Sequence, residues 1–167
     1  KPRPNSIWLA GHAGTGKTQL ITNVARRLNR ELFRVTGDIS ITKTALEGDY
    51  ELVNGETRFL YGPLIEAMVR GGFLLLDEYD MFNPLVTAAL RPVLEENPSY
   101  RILTTNELII PHPNFMILVT ANTFGNGDDS GLYSTTNALT NADRQRFSLY
   151  LEAKAMPSDA QVTALTT

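Results

Sequence analysis

Residues 11–18 read Gly-His-Ala-Gly-Thr-Gly-Lys-Thr and match the pattern G-x-x-x-x-G-K-[ST] at every specified position. Glycines in such a loop let the backbone bend so that successive N–H groups point at an anion, and a helix beginning there adds positive potential. Lys17 can reach the β- and γ-phosphates of a nucleotide, and the Thr18 hydroxyl can bind magnesium. The pattern predicts a phosphate site made of Gly11, His12, Ala13, Gly14, Thr15, Gly16, Lys17, Thr18 and Gln19. Within it, we expect the His12 side chain to pack or hydrogen-bond and not to catalyse.

Two carboxylates end an apolar run at residues 73–78, Phe-Leu-Leu-Leu-Asp-Glu. At the tip of a buried strand, Asp77 would hold a magnesium ion and Glu78 would orient or deprotonate an attacking water. An acidic pair after a strand is common by itself, but downstream of a complete phosphate loop it predicts the second half of the site. We expect Tyr79 and Asp80 to shape the loop.

Three further polar residues lie near the ends of later apolar runs. Asn122 follows the run 115–119, and its amide would reach the γ-phosphate or the attacking water, because open α/β sheets bind ligands at the carboxyl ends of their strands. A turn-forming role for Asn122 is the alternative. Arg144 and Arg146 precede the last run, where an arginine can act on a neighbouring subunit's nucleotide or be a surface charge.

The elements that must position these residues alternate along the chain. Short, nearly continuous apolar runs predict strands buried on both faces, as in a parallel sheet. Helical spacing of apolar residues, with Leu20, Ile21, Val24 and Leu28 on one stripe, predicts the intervening helices. The strands are predicted at 7–10, 32–35, 73–76, 115–119 and, more weakly, 147–151; the helices are predicted at 17–29, 63–70 and from Asn83 to about Asn97, with Pro92 as a kink or weak point.

Two segments interrupt this alternation. Residues 49–61 contain Asn54-Gly55 between two extended stretches and predict a β-hairpin. Residues 101–110 also read as extended, with a turn near Asn106 or within 111–114.

Composition limits the classes of protein. The chain has 167 residues, a net charge of −3, no cysteine and two histidines. The length favours one domain, and the absence of cysteine fits the cytoplasm and excludes disulfides, thiolate metal sites and a cysteine nucleophile. They argue against a dedicated nucleic-acid binder, and no apolar run is long enough to span a membrane. Because the first residue is lysine, we expect the sequence to be part of a longer chain.

With these motifs in this order, the chain resembles the large α/β subdomain of an AAA+ ATPase. The hairpin at 49–61 is similar to the helix-2 insert of the MoxR and magnesium-chelatase branch, and the stretch 101–113 is similar to its pre-sensor-1 hairpin. A narrower resemblance links Asp77-Glu78-Tyr79-Asp80 and Thr120-Ala121-Asn122-Thr123, with other segments, to the small AAA+ subunit of aerobic cobaltochelatase. The resemblance implies a P-loop NTPase sheet sandwich over residues 1–156.

The resemblance also assigns roles. It implies ATP and Mg²⁺ as cofactors, Asp77 as the magnesium-binding residue, Glu78 as the catalytic carboxylate and Asn122 as the sensor. Arg146 falls at the family's finger position, but Gln145 departs from the usual aspartate, so Arg144 remains a second candidate. Residues 157–167 would lead toward a helical lid.

The function that the resemblance implies is an ATP-driven motor subunit in a ring, expected to be a hexamer, that serves a larger chelatase or metalloenzyme client. Its most specific version is the ATPase of a cobaltochelatase-like complex. The alternatives are a MoxR-like chaperone, a phage remodelling ATPase, and a scaffold that binds nucleotide without hydrolysing it.

Overall fold

The computed structural model of the chain describes residues 5–122 and 146–154. Strands and helices alternate over most of this length, as the apolar pattern predicts. In chain order the elements are β1 (Ser6–Ala10), α1 (Lys17–Arg27), β2 (Leu32–Thr36), α2 (Lys43–Glu47), β3 (Gly48–Val53), β4 (Glu56–Tyr61), α3 (Pro63–Arg70), β5 (Phe73–Asp77), α4 (Pro84–Ala89), β6 (Tyr100–Ile102), β7 (Glu107–Ile109), β8 (Met116–Ala121) and β9 (Leu149–Glu152), with single 3-10 turns at Tyr79–Met81 and Arg91–Val93.

Five strands form one parallel sheet in the order β2-β5-β8-β1-β9. The predicted α/β fold with a parallel sheet is confirmed, and β5 is buried at every position. Burial on both faces was wrong for the two edge strands, since β2 is at most half-buried and β9 is exposed throughout. The order places the carboxyl ends of β5, β8 and β1 side by side, which brings the loops after them together.

Helices cover both faces of the sheet. Along β5 the side chains alternate: Leu74 and Leu76 pack in the larger core with α3 and Trp8, whereas Phe73 and Leu75 pack on the opposite face against α1. Alternation of this kind follows from the two-residue period of a strand. The sandwich predicted by the motif resemblance is therefore present.

The apolar stripe of α1 is divided in the structure. Ile21 is buried together with Ala25 against the sheet, but Leu20, Val24 and Leu28 are 53%, 41% and 59% exposed. The reason is geometric: residues four apart form one stripe, and the stripe of Leu20 lies about 100° around the helix from that of Ile21. The single stripe expected from the sequence is thus wrong for burial.

Two hairpins stand apart from the main sheet. Strands β3 and β4 pair antiparallel through Asn54 and Gly55, whose φ angles are 53° and 84°, as the Asn-Gly signal predicts. Strands β6 and β7 turn at Asn106, with φ 58°, which decides between the two turns considered. The hydroxyl of Tyr61 donates to both carboxylate oxygens of Glu107 at 2.8 Å and connects the hairpins.

The helix predicted to extend from Asn83 to about Asn97 is shorter. The Asn83 side chain accepts from the Leu85 N–H at its start, but α4 ends at Ala89 and a 3-10 turn follows. Pro92 explains this end, because it cannot donate to the carbonyl four residues earlier and disfavours helix in the residue before it. The short helix α2, capped by the Thr42 side chain, was not predicted. None of the helices in the described ranges is long and apolar enough to cross a membrane.

Candidate functional site

The loop after β1 turns directly into α1. Gly14 and Gly16 both have φ 79°, a conformation that favours glycine, and open space surrounds the Cβ position of each. Gly11 has a different constraint, because a Cβ there would lie 2.4 Å from the Ala153 carbonyl oxygen beyond β9. The loop backbone therefore requires glycine for its conformation near α1 and for close packing near β9.

Lys17, the first residue of α1, folds its side chain back over the loop. It is 8% exposed, and its Nζ donates to the carbonyl oxygens of Gly11 and His12 at 2.6 and 2.9 Å. A third hydrogen bond, 3.1 Å long, goes to Oδ1 of Asn122 after β8. Burial lowers the pKa of Lys17 below its ordinary value, and the carboxylates of Asp80, Asp77 and Glu78, in decreasing order of strength, oppose this shift.

Asp77 lies at the end of β5 and is 3% exposed. Its Oδ1 accepts hydrogen bonds from the hydroxyls of Thr18, at 2.7 Å, and Thr120. Its Oδ2 pairs with the Arg34 guanidinium of β2 at 2.5 Å. A hydroxyl and a carboxylate in direct contact are the oxygen ligands that magnesium takes in nucleotide sites, so this donor set fits the ion.

Glu78 begins the turn that follows β5. Its φ is 54°, its side chain is exposed, and its backbone N–H donates to Thr120 Oγ1 at 3.0 Å. The left-handed conformation turns the chain away from the strand direction and leaves the carboxylate in contact with solvent. That arrangement suits a group that must meet water.

The end of β8 contributes Asn122 and is held by Asp80. The side-chain oxygen Oδ1 of Asn122 accepts a hydrogen bond from Lys17, and the backbone N–H of Asn122 donates to Asp80 Oδ2 at 3.2 Å. Asp80 is 1% exposed within the 3-10 turn Tyr79–Met81. Its expected loop-shaping role is consistent with this position.

The structure thus brings together Lys17, Thr18, Asp77 and Asn122, which the sequence analysis had selected. His12 contributes its backbone carbonyl, and its side chain is exposed. Gln19 is exposed and donates to Asn23, not to the loop.

Arg146, just before β9, forms an ion pair with Glu95. Arg144 lies outside the described residues, as do residues 155–167, on which the expected linker falls.

The sequence did not lead us to predict Arg34 as part of the site. For Thr120 and Asp80, it predicted no specific contact there. Arg34 has a signal in retrospect, because it is the single charge within the otherwise uncharged strand 32–36. Across residues 5–122 and 146–154, no group of three or more His, Cys, Asp or Glu is arranged to hold a metal ion by itself.

Comparisons with known proteins agree with this geometry. Residues 6–140 match the AAA domain (dynein-related subfamily). The chain is 34% identical over 160 residues to the aerobic cobaltochelatase subunit CobS of a Sinorhizobium species, covering 93% of this chain and 48% of CobS. It is 32% identical over 141 residues to protein NorQ of Paracoccus denitrificans, covering 84% of this chain and 50% of NorQ.

The fold has a solved counterpart as well. A presumed ATPase from Cytophaga hutchinsonii superposes with a TM-score of 0.74 at 19% identity, covering 97% of this chain and 45% of that protein. The chain spans about half the length of these relatives. AAA domains in general bind ATP with Mg²⁺. Together, the match over residues 6–140 and the parallel sheet with its loop after β1 show that the chain belongs to the AAA domain family, dynein-related subfamily.

Proposed function

We propose that this chain binds ATP with Mg²⁺ at the carboxyl edge of its sheet and hydrolyses it. The main support is the meeting of three chain segments there: Lys17 of α1 lies 3.1 Å from Asn122 after β8, and Thr18 lies 2.7 Å from Asp77 of β5. A cation, a hydroxyl, a carboxylate and an amide in this arrangement are the groups that phosphoryl transfer requires.

In this proposal the segment from Gly11 to Gln19 binds the phosphates through its backbone N–H groups, and Lys17 reaches the β- and γ-phosphates. Thr18 and Asp77 would hold Mg²⁺, which neutralises charge on the phosphate oxygens when it is bound. Asp77 suits this role because its buried carboxylate already contacts the Thr18 hydroxyl, the other group proposed to hold the ion.

Glu78 is the proposed general base. Its exposed carboxylate accepts a proton from water as the water oxygen bonds to the terminal phosphorus and the bond to the departing ADP breaks. The proton then passes to bulk solvent. Asn122, held against Lys17, contacts the γ-phosphate or the attacking water.

We further propose that hydrolysis requires a ring of six subunits in the cytoplasm, in which Arg146 stabilises the transition state on a neighbour's nucleotide. Arg146 lies before β9, and its partner Glu95 is 53% exposed, so solvent weakens the ion pair between them. Arg144 is the second candidate for this finger.

The client proposed is a larger chelatase subunit, by similarity to CobS. No cysteine is present, so a transported metal and its organic acceptor would bind that partner and not this chain. A MoxR-like chaperone or a phage remodelling ATPase would use the same site, and a nucleotide-dependent scaffold would use it without turnover.

Three measurements test the proposal. Calorimetric titration of the chain with ATP should show binding that strengthens when Mg²⁺ is added, and the full-length protein should release phosphate. Binding without turnover in the full-length ring would support the scaffold instead. Absence of ATP binding would refute all of these functions, and co-purification of the full-length protein with its partners would separate chelatase from chaperone.

A further inference from the structure

Two hydrogen bonds join the turn after β5 to the end of β8. The first runs from the Glu78 N–H to Thr120 Oγ1 at 3.0 Å, and the second from the Asn122 N–H to Asp80 Oδ2 at 3.2 Å. In the second hydrogen bond the acceptor is the charged side chain of Asp80. The donor residue, Asn122, is the one whose side-chain oxygen contacts Lys17. The position of Asn122 thus depends on a group two residues beyond the proposed base.

The backbone around Asp80 holds its side chain in a buried position. It is 1% exposed, and the 3-10 turn Tyr79–Met81 that contains it is closed by hydrogen bonds from the Met81 and Phe82 N–H groups. Burying a carboxylate is costly unless it is paired with hydrogen-bond donors or cations. Here the Asn122 backbone N–H supplies a donor, and the carboxylate of Asp80 raises the pKa of Lys17, against the effect of burial.

The position of Asn122 matters because its side chain is short. With the backbone N–H held by Asp80, the amide is directed so that Oδ1 reaches Lys17 Nζ at 3.1 Å. Without that hydrogen bond, the chain leaving β8 can rotate about the backbone dihedrals of Asn122, and the amide is no longer directed at the loop. The lysine keeps its two contacts within the loop, to Gly11 and His12, in either case.

We propose that Asp80 is a positioning residue that holds Asn122 against Lys17 and so enables the site to distinguish ATP from ADP. This inference rests on the proposed function. Asn122 would contact the terminal phosphate, which only ATP has, whereas the loop binds the phosphates that both nucleotides share. Loss of the Asp80 hydrogen bond should therefore weaken ATP binding relative to ADP binding, so that the ratio of the two affinities falls.

The test measures dissociation constants of Mg-ATP and Mg-ADP by calorimetry in the Glu78→Gln background, which prevents turnover. Asp80→Ala should reduce the preference for ATP over ADP by about tenfold, the value of one well-formed hydrogen bond. Asp80→Asn keeps an acceptor oxygen and should restore most of that preference. Asp80→Leu, which fills the volume without an acceptor, replaces the alanine variant if that variant does not fold.

A matched control comes from the same turn. Phe82 is 1% exposed and packs beside Tyr79, so Phe82→Leu loosens the turn without removing the hydrogen bond to Asn122. It should lower the thermal unfolding temperature but leave the ratio of ATP to ADP affinity unchanged. An equal loss of that ratio in Phe82→Leu would show that general loosening, and not positioning by Asp80, is responsible, and would overturn the inference.

Asn122→Ala separates this inference from the proposed function. If Asp80 acts through the side chain of Asn122, then adding Asp80→Ala to Asn122→Ala should change the affinity ratio by less than about twofold, because the side-chain amide that Asp80 positions is already absent. Additive effects would overturn the inference while leaving the role of Asn122 intact. An unchanged ratio in Asn122→Ala itself would instead refute the proposed role of Asn122.

Discussion

At the scale of single residues, the buried charged groups Lys17 and Asp77 of the candidate site have specific partners. Lys17 donates to two loop carbonyls and to Asn122, and both oxygens of Asp77 are engaged, by Thr18 on one side and Arg34 on the other. Substitutions at these positions therefore act on binding through identifiable contacts. Three predictions belong to this scale.

Lys17→Ala should weaken Mg-ATP binding at least about tenfold, because the ammonium acts as a point charge on phosphate. The fold should persist, since the side chain contacts polar loop atoms and not the apolar core. Calorimetry measures the affinity, and circular dichroism on heating checks the fold. Arg58→Ala, which removes an exposed cation at the β3–β4 hairpin, is the control and should bind normally. Unchanged affinity in Lys17→Ala would show that the phosphate-loop assignment is wrong.

Asp77 and Glu78 should respond differently to loss of charge. Glu78→Gln should bind ATP and retain it, because the exposed side chain keeps its size but loses the base. Asp77→Asn should weaken Mg²⁺-dependent binding, and its new amide would face the donors Arg34 and Thr18. Phosphate release by the full-length protein and Mg²⁺ titrations distinguish the two variants. Unchanged turnover in both would remove this strand tip from the site.

Arg34 should influence the magnesium requirement. Its guanidinium lies 2.5 Å from Asp77 Oδ2, so it competes with Mg²⁺ for the same carboxylate. Arg34→Met should lower the Mg²⁺ concentration for half-maximal ATP binding by about two- to fivefold, a modest effect because Arg34 is half-exposed and solvent screens its charge. Arg58→Met serves as the matched control. A higher magnesium requirement in Arg34→Met would mean that Arg34 supports the carboxylate for the ion and does not compete with it.

At the scale of elements, the phosphate loop is constrained differently at its two ends. Gly14→Ala should lower the free energy of unfolding by about 1–2 kcal/mol, the cost of a left-handed conformation, because nothing crowds its Cβ position. Gly11→Ala should cost more than this, because its Cβ would also lie 2.4 Å from the Ala153 carbonyl and displace β9 from β1. Urea denaturation of both variants measures the difference. A smaller loss in Gly11→Ala would mean that β9 shifts without cost.

At the scale of the whole molecule, we expect Arg146 of one subunit to act as an arginine finger on the nucleotide of its neighbour. Arg146→Ala in the full-length protein should bind ATP nearly normally but hydrolyse it roughly 10³–10⁵-fold more slowly, because a finger acts mainly in the transition state. Phosphate release and calorimetry measure the two effects. The ion pair with Glu95 does not oppose this role, since partly exposed pairs typically stabilise a fold by about 1 kcal/mol or less.

Mixing Arg146→Ala with Lys17→Ala protein decides whether the arginine acts on a neighbour. Some interfaces of a mixed ring would combine an intact loop with an intact finger, and part of the activity should return. No recovery in rings shown to be mixed would exclude a trans role for Arg146. Recovery with Arg144→Ala instead would identify Arg144 as the finger.

Much of the architecture follows from local sequence patterns. The strands formed by the five apolar runs, the hairpin at Asn54-Gly55 and the glycine-rich loop before α1 were predicted, because each depends on residues close together in the chain. The boundary of α4 was predicted poorly: Pro92 was recognised as a weak point, but the cap at Asn83 and the apolar pattern beyond it suggested a longer helix. Helix ends depend on single hydrogen bonds, which a pattern resolves less well than the presence of a helix.

The sequence by itself determined the glycine-rich loop before α1, the acidic strand tip and the alternation of strands and helices. Only the tertiary structure decided the strand order β2-β5-β8-β1-β9 and the contacts that depend on it. Arg34 reaches Asp77 because β2 lies beside β5, and Asp80 holds Asn122 because β5 lies beside β8. The residues of each pair are more than forty positions apart, and no local periodicity encodes which strands become neighbours; packing of the whole sheet does.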